Sequence, residues 1–345
     1  MKHYLYNQYQ SIWETFAPAS NYNIIKEIIK LLPEQSYEVD DLNNIVVKIG
    51  DQTKSVPLFC CHTDTVHSKP NTKIKSIKKD IITADNGIGG DDKCGIIACL
   101  ELIVHCFEKN IPSLFIFFAD EETGCIGAND IDLSLFNNVN FGVEIDRRGS
   151  SDIIDNVGSN KEFLADLEKL GKKFGFSKAS GIFTDLSTIH DRLMEYGMSP
   201  SFTNLSCGYY GAHTTQEYVN LNELKNTIDF CINIVEVLGS TEYITTEKKA
   251  SKYTGNSLWA NDYHSSNYAL AELKSDYSEI GLYADEICDK CFTPINSKIE
   301  KTVYQTLDGS EVICQSCYHL LDDDSPNFSI DDTSFSGTID YSGGY

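Results

Sequence analysis

Short, continuous apolar runs alternate with helical periodicity over the first 240 or so residues, and nothing else in the chain constrains its fold as strongly. Strand candidates are NIVVKI (44–49), VPLFCC (56–61), LFIFFA (114–119), FGVEI (141–145) and SFTNL (201–205). Runs this short and unbroken fit strands buried on both faces. Between them, Ile96, Ile97, Leu100, Ile103, Val104 and Phe107 follow helical spacing, as do Leu221, Leu224, Ile228, Cys231, Ile232 and Val235. Ser159 with Glu162 reads as a capping box that opens a third helix over 159–174. Strands alternating with helices predict an α/β domain, layered α/β/α, with a mostly parallel sheet.

The texture changes after Gly239. Residues 241–283 are rich in Tyr, Ser, Asn and Lys and read as a linker. Cys288-x-x-Cys291 and Cys314-x-x-Cys317, with 22 residues between the pairs, predict a small zinc ribbon over 284–321. Asp308-Gly309 marks its hairpin turn. Four thiolates close the coordination shell, so this Zn2+ is expected to stabilise the module and to take no part in catalysis. Residues 322–345 hold six Asp and no Lys or Arg, and are expected to be a disordered acidic tail. The other eight cysteines lie mostly in apolar strands and helices and read as small core residues.

Charge excludes whole classes of partner. With 51 acidic against 28 basic residues the net charge is −23, which disfavours nucleic acid and anionic membrane surfaces. The opening MKHYLYNQYQSIWETF has no apolar export region, and reduced cysteines fit a cytoplasmic setting. A protein partner for the ribbon and tail remains compatible with the charge.

The apolar strands keep ending in acids or histidine. VPLFCC runs into His62-Thr63-Asp64, LFIFFA into Asp120-Glu121-Glu122, and FGVEI into Asp146. Ligands of parallel α/β sheets bind beyond the carboxyl ends of the strands, so these groups are expected to converge. Two more segments join them: the Gly-rich loop Gly87-Ile88-Gly89-Gly90-Asp91-Asp92-Lys93, and Gly211-Ala212-His213-Thr214-Thr215-Gln216-Glu217. Carboxylates and imidazoles gathered without cations repel one another, and a divalent metal removes the objection. A phosphate cradle at the glycines is disfavoured, because Asp91 and Asp92 occupy the place an anion would take.

HTDTV, GGDDKxG, DEExG, a strand-end Asp and GAHTTQE, in that order, resemble the co-catalytic di-zinc exopeptidases. That superfamily includes peptidase T, glutamate carboxypeptidases, acylamino-acid deacetylases and a branch of zinc aminopeptidases. The resemblance spans roughly residues 40–240 and implies two active-site Zn2+ ions. His62 and Asp146 would hold one, Glu122 and His213 the other, with Asp91 bridging. It makes Glu121 the general base and Asp64 the residue that orients His62. The implied reaction is hydrolysis of a peptide or amide bond, on a peptide or acyl-amino-acid substrate.

Asp146 and His213 are only 67 positions apart, too few for the lid domain of peptidase T and its kin. Specificity then falls to loops of the catalytic domain. Arg147 and Arg148 are candidates for a substrate carboxylate, or are surface arginines balancing acidic neighbours. Asp185 is either a helix N-cap or part of the substrate pocket. Aminopeptidase activity is favoured over deacylase or carboxypeptidase activity. A peptidase fold without catalysis, binding protein through its ribbon, is the reading from another class, and the filled catalytic positions count against it.

Overall fold

A computed structural model describes residues 3–246, apart from 34–35, 72, 79 and 182–183, together with a few short strands beyond residue 285. The chain divides into two compact units, Met1–Lys252 and Tyr253–Tyr345.

In the first unit the strands are β1 (Tyr37–Val39), β2 (Ile45–Ile49), β3 (Val56–His62), β4 (Ile74–Lys78), β5 (Ile81–Ala84), β6 (Ser113–Phe118) and β7 (Val139–Arg147). They continue with β8 (Asp152–Ile154), β9 (Ser177–Ala179), β10 (Ser199–Ser206), β11 (Tyr209–Tyr210), β12 (Tyr218–Asn220) and β13 (Ile244–Thr245). The helices are α1 (Tyr4–Gln8), α2 (Gln10–Glu14), α3 (Asn23–Ile29), α4 (Gly90–Lys109), α5 (Ile126–Asp130), α6 (Lys161–Gly171), α7 (Asp185–Met194) and α8 (Leu221–Leu238).

Nine strands form one sheet in the order β1-β2-β6-β3-β7-β10-β8-β9, with β13 beside β10. Its centre is parallel: β3 pairs in parallel with β6 and β7, and β7 with β10. Antiparallel β1 and β2 extend one side, and β8 and β13 pair antiparallel with β10. All five strands read from the sequence are present. Because β6, β3 and β7 run the same way, their carboxyl ends reach one edge together.

Alternate side chains feed two cores. Phe59, Cys61, Phe115, Phe117, Phe141 and Val143 pack with α4, α6, α8 and the N-terminal helices. Leu58, Cys60, Leu114, Ile116 and Phe118 pack with α5 and α7 on the opposite face. The eight described cysteines are all buried thiols, as their apolar settings predict. Gly95 lets α4 lie against β7, since a Cβ there would stand 2.2 Å from the Ile145 carbonyl oxygen. The helical spacing overreaches at one end of α4: Val104 and Phe107 are exposed.

The third helix starts later than its sequence cap implies. Asn160, not Ser159, is the N-cap of α6, its side chain accepting from the Phe163 amide at 2.8 Å. Ser159 instead donates to the Phe202 carbonyl on β10. A side chain that bonds across to a strand is not free to cap its own helix. The short helices α1–α3 bury Leu5, Ile12, Trp13, Ile24 and Ile28, and are too brief to print a periodicity.

A second sheet, β11-β12-β5-β4, holds the loop from Gly211 to Glu217 between β11 and β12. The interval from Asp146 to His213 contains β8, α6, β9, α7, β10 and β11, and these described elements all belong to the first unit. The chain stays with the domain past Gly239, because β13 pairs with β10 and Tyr243 is buried against Phe141 and Phe163.

In the second unit Glu286–Ile287 pairs antiparallel with Pro294–Ile295. Thr302–Thr306 pairs antiparallel with Val312–Ile313 and with Phe328–Asp332. Cys288, Cys291, Cys314 and Cys317, and most of the linker and tail, lie outside the described residues.

The Tyr243 hydroxyl donates to Asp166 at 2.7 Å while its ring fills the core. Replacing Tyr243 with Phe is expected to cost about 1 kcal/mol, from the hydrogen bond. Replacing it with Ala should cost about 3–5 kcal/mol, from the cavity. Urea unfolding midpoints of the two variants check both figures.

Candidate metal centre

Strand geometry brings His62, the Asp120–Glu122 turn and Asp146 to one edge, and two loops close over them. His62 is the last residue of β3, its side chain only 1% exposed. Asp146 lies near the end of β7. Its amide donates to Asn204 Oδ1 at 3.0 Å, and the Asn204 Nδ2 donates to the Asp146 carbonyl at 3.3 Å. From β11, the Tyr209 hydroxyl reaches Asp146 Oδ1 at 3.4 Å. Asp146 is thus held by its backbone and by one of its own oxygens.

Asp91 stands between two groups of donors. Its Oδ1 is 3.0 Å from His62 Nε2, and that nitrogen is 3.5 Å from Asp146 Oδ1. Its Oδ2 is 3.3 Å from His213 Nε2, which in turn is 3.2 Å from Glu122 Oε2. One carboxylate therefore presents an oxygen to each of two histidine–carboxylate pairs. The helical path fails at this point: Asp91 (φ −81°, ψ 98°) and Asp92 (φ −122°, ψ 44°) both leave it. The two adjacent acids consequently do different work. Asp92 is fully buried, accepting from the Gly95 amide at 2.9 Å and from the His62 amide at 3.3 Å. It caps the regular part of α4 and ties that helix to the end of β3.

Glu121 and Glu122 occupy a single 3-10 turn, Glu121–Thr123, entered through Asp120 in the left-handed region (φ 56°). The Asp120 carboxylate accepts from the Ser20 amide at 2.6 Å and the Tyr22 hydroxyl at 2.8 Å, so it anchors the N-terminal segment. Asp64 does more than its place beside the first histidine suggests. Its two oxygens accept the amides of Glu121 at 2.9 Å and Glu122 at 3.2 Å. It stands 3.4 Å from His62 Nδ1, a long contact for orienting an imidazole. His213 also adopts a left-handed conformation (φ 65°). Its side chain is 32% exposed, so the cluster opens to solvent on the His213 side.

The substrate-contact candidates fare differently. Arg147, the last residue of β7, pairs with Asp152, Nε to Oδ2 at 3.3 Å, and Arg148 lies just past the strand. Asp185 is not the N-cap of α7: Thr184 is, in a capping box with Ser187. Asp185 is fully buried with neither carboxylate oxygen hydrogen-bonded. Burial, then the charge of Glu144, pushes its carboxyl well above the ordinary range. Glu144 itself sits at the N-terminus of α7, accepting from the Thr184 hydroxyl and the Leu186 amide.

Electrostatics in the cluster are strained in the way a cation would relieve. Burial, and then the charge of Asp91, raises Asp146 well above the carboxylate range. Burial alone would lower His62 and His213, yet the carboxylates around them raise both well above the usual imidazole value. Asp91 moves the other way: burial opposes its ionisation, but the two imidazoles hold it far below the carboxylate range. Burial pushes the Glu121 carboxyl up to about 8, with the charge of Glu122 adding to it. Glu122 Oε1 and His62 Nδ1 are buried without a hydrogen-bond partner. His62, Asp91 and Glu122 bring their ligand atoms within 4.8 Å of one another, as do His62, Asp92 and Asp146. Carboxylate oxygens and imidazole nitrogens are the donors a divalent cation takes, so the residues fit one. Within the second group Asp92 already accepts two backbone amides, which leaves Asp91 and Asp146 as the better-placed acids.

Residues 44–191 match the model of peptidase family M28, a span that holds His62, Asp91, Glu121, Glu122 and Asp146 and ends before His213. Among solved structures the chain is similar to the aminopeptidase PepT of Bacillus cereus, at 18% identity and a TM-score of 0.55, over 67% of this chain and 97% of that one. It is also similar to a tripeptidase of Staphylococcus aureus, at 16% identity and a TM-score of 0.56, over 68% and 97%. A TET aminopeptidase from a marine-sediment thaumarchaeon shares 13% identity at a TM-score of 0.55, over 69% and 98%. No curated protein sequence matches the chain. The family match and the shared fold agree with the superfamily read from the motifs, the co-catalytic zinc exopeptidases. Residues 44–191 thus carry the match to a metallopeptidase family, of the hydrolase class, and the solved structures share the fold.

Sequence reasoning missed three residues of this centre. Asn204 had a signal, a lone amide inside the apolar run SFTNL. Glu217 lies within the last motif but had no role, and Tyr209 had no signal at all. Since the donors must be unprotonated to bind a cation, metal uptake is expected to release protons, and affinity to fall as pH falls. Calorimetry in two buffers of different ionisation enthalpy measures the release; none, with affinity flat in pH, would contradict the imidazole shifts.

Proposed function

We propose that the domain is a two-zinc aminopeptidase. The observation that carries this reading is Asp91, whose two oxygens face His62 with Asp146 on one side and His213 with Glu122 on the other. His62 and Asp146 would hold one Zn2+, His213 and Glu122 the other, with Asp91 shared. Two bound Zn2+ ions would supply Lewis-acid polarisation of the scissile carbonyl and activation of a water at neutral pH. Glu121 accepts the proton of the attacking water on its carboxylate and returns it to the leaving nitrogen. Its raised proton affinity suits both transfers, and neighbouring cations would draw it back towards the ionised form. Asp64 keeps Glu121 and Glu122 in register by holding both their amides.

One feature favours an amino-terminal substrate: the Arg147 guanidinium, the candidate for a substrate carboxylate, is engaged by Asp152. The remaining assignments complete the reading. The catalytic body is the first compact unit, a linker leads to a ribbon whose four cysteines bind one structural Zn2+, and the acidic tail follows. The protein acts in the cytoplasm on peptides. Among the described residues no helix is long and apolar enough to cross a membrane.

Metal analysis with aminoacyl and acyl-amino-acid substrates tests the proposal. Three zinc equivalents per chain and cleavage of aminoacyl substrates are expected. Glu121→Gln should lower kcat by about 10^2–10^4-fold while keeping the metal content. Undiminished turnover in that variant overturns the role of Glu121, and cleavage confined to acyl-amino acids overturns the aminopeptidase assignment.

A further inference from the structure

Glu217 is fully buried, and its carboxylate is taken up by backbone amides and an imidazole outside the proposed metal donors' side chains. Its Oε2 lies 2.7 Å from His67 Nε2 and accepts the Gly89 amide at 2.7 Å. Its Oε1 accepts the Asp91 amide at 3.0 Å. Thus both oxygens hold the backbone that presents Asp91. Its own backbone is fixed in turn: its amide donates to the Thr214 carbonyl at 3.2 Å, and its carbonyl accepts from the Thr83 hydroxyl at 3.0 Å. Glu217 also lies in the loop that carries His213.

The same stretch is gripped from the other side. The buried Lys93 ammonium donates to the Ile88 carbonyl at 3.2 Å and to the Trp13 carbonyl at 3.0 Å. Gly87, at φ 87°, packs where a Cβ would stand 2.1 Å from the His67 ring. His67 and the glycine loop are therefore fitted to each other, with the Glu217 carboxylate between imidazole and backbone.

We propose that Glu217, fixed by His67, is a positioning residue that locks the Asp91 loop to the His213 loop and so sets the separation of the two metal positions. This inference rests on the two-metal reading. The positions should not depend on the lock equally. His62 and Asp146 are strand-end residues, held by β3 and β7 whatever the loops do. His213 and Asp91 both come from the loops that Glu217 joins. Releasing the lock should loosen Asp91 at both positions but His213 at only one, so the position served by His213 and Glu122 should weaken more than the one served by His62 and Asp146.

The test is calorimetric titration of Zn2+ into the metal-free full-length protein, with melting temperatures measured without metal. For Glu217→Gln, one of the two active-site equivalents should bind about 10–100-fold more weakly, the usual cost of losing a group that orients a ligand. The other equivalent, which shares Asp91 but keeps His62 and Asp146 on their strands, should weaken by less, and the metal-free melting temperature should change little. Glu217→Asp, a methylene too short to reach both amides, should act in the same direction. His67→Ala should weaken the same equivalent by less, and it carries the test alone if the Glu217 variants fail to fold. Two equivalents with unchanged affinities in a folded variant overturn the proposal. So does equal weakening of both together with a fall in the metal-free melting temperature, which marks a merely structural role. Failure of the unsubstituted protein to bind two equivalents at this centre would instead overturn the two-metal reading itself.

Discussion

Mutual repulsion among acids in a poorly solvated space is the constraint around which this domain is arranged. Asp91, Glu121, Glu122 and Asp146 share one edge of the sheet with two imidazoles, and Asp64 and Asp92 lie directly behind. Like charges brought this close shift one another's protonation by large amounts. The pattern of raised and lowered groups follows from that. Asp91 stays ionised because both histidines face it, while Asp146 and Glu121 are driven towards the protonated form. A pair of divalent cations would replace those protons, so part of the net charge of −23 belongs to the site and is no statement about partners.

An acidic cluster of this kind holds its shape only if the backbone is pinned by other groups, and the structure supplies one pin per segment. Asp92 ties the start of the regular α4 helix to the end of β3. Asp64 holds the Glu121–Thr123 turn by its first two amides, and Asp120 fastens that turn to the N-terminal segment. Asn204 holds Asp146 on both sides of its backbone, and Glu217 holds the loop of Asp91. In four of these pins a carboxylate accepts backbone amides, a charge-assisted bond stronger than its neutral counterpart. Acids outside the donor set thus use their charge to position the acids within it.

Much of the catalytic body was legible because its signals are local. A run such as VPLFCC is buried on both faces in any parallel sheet, and five runs of that kind marked five strands. The motif at each strand end then followed from the polarity of the sheet. Other features were hidden for physical reasons. Ser159 carries a capping signature, but its hydroxyl is taken by the Phe202 carbonyl on a strand 43 residues away, and Asn160 caps instead. Asp185 had the right composition for a cap and lost the place to Thr184, whose side chain also meets Glu144. Val104 and Phe107 keep the helical period of α4, yet that end of the helix has no neighbour among the described residues to cover them.

The sequence by itself determined which residue types would meet, because the order of strands and the acids after them fixes what reaches the edge of a parallel sheet. It also pointed to a metal, since acids and imidazoles brought to one edge repel one another unless a cation or bound protons offset their charge. Only the tertiary structure decided how adjacent acids divide their work. Asp91 and Asp92, like Glu121 and Glu122, are neighbours of the same chemistry, and composition cannot rank them. What separates Asp91 from Asp92 is the point where the backbone leaves the helical path, and what separates Glu121 from Glu122 is their place in one tight turn; long-range partners such as Glu217 and Asp64 hold both segments. Hydrogen bonds between residues far apart in the chain leave no periodicity to read, so those partners appear only once the chain is folded.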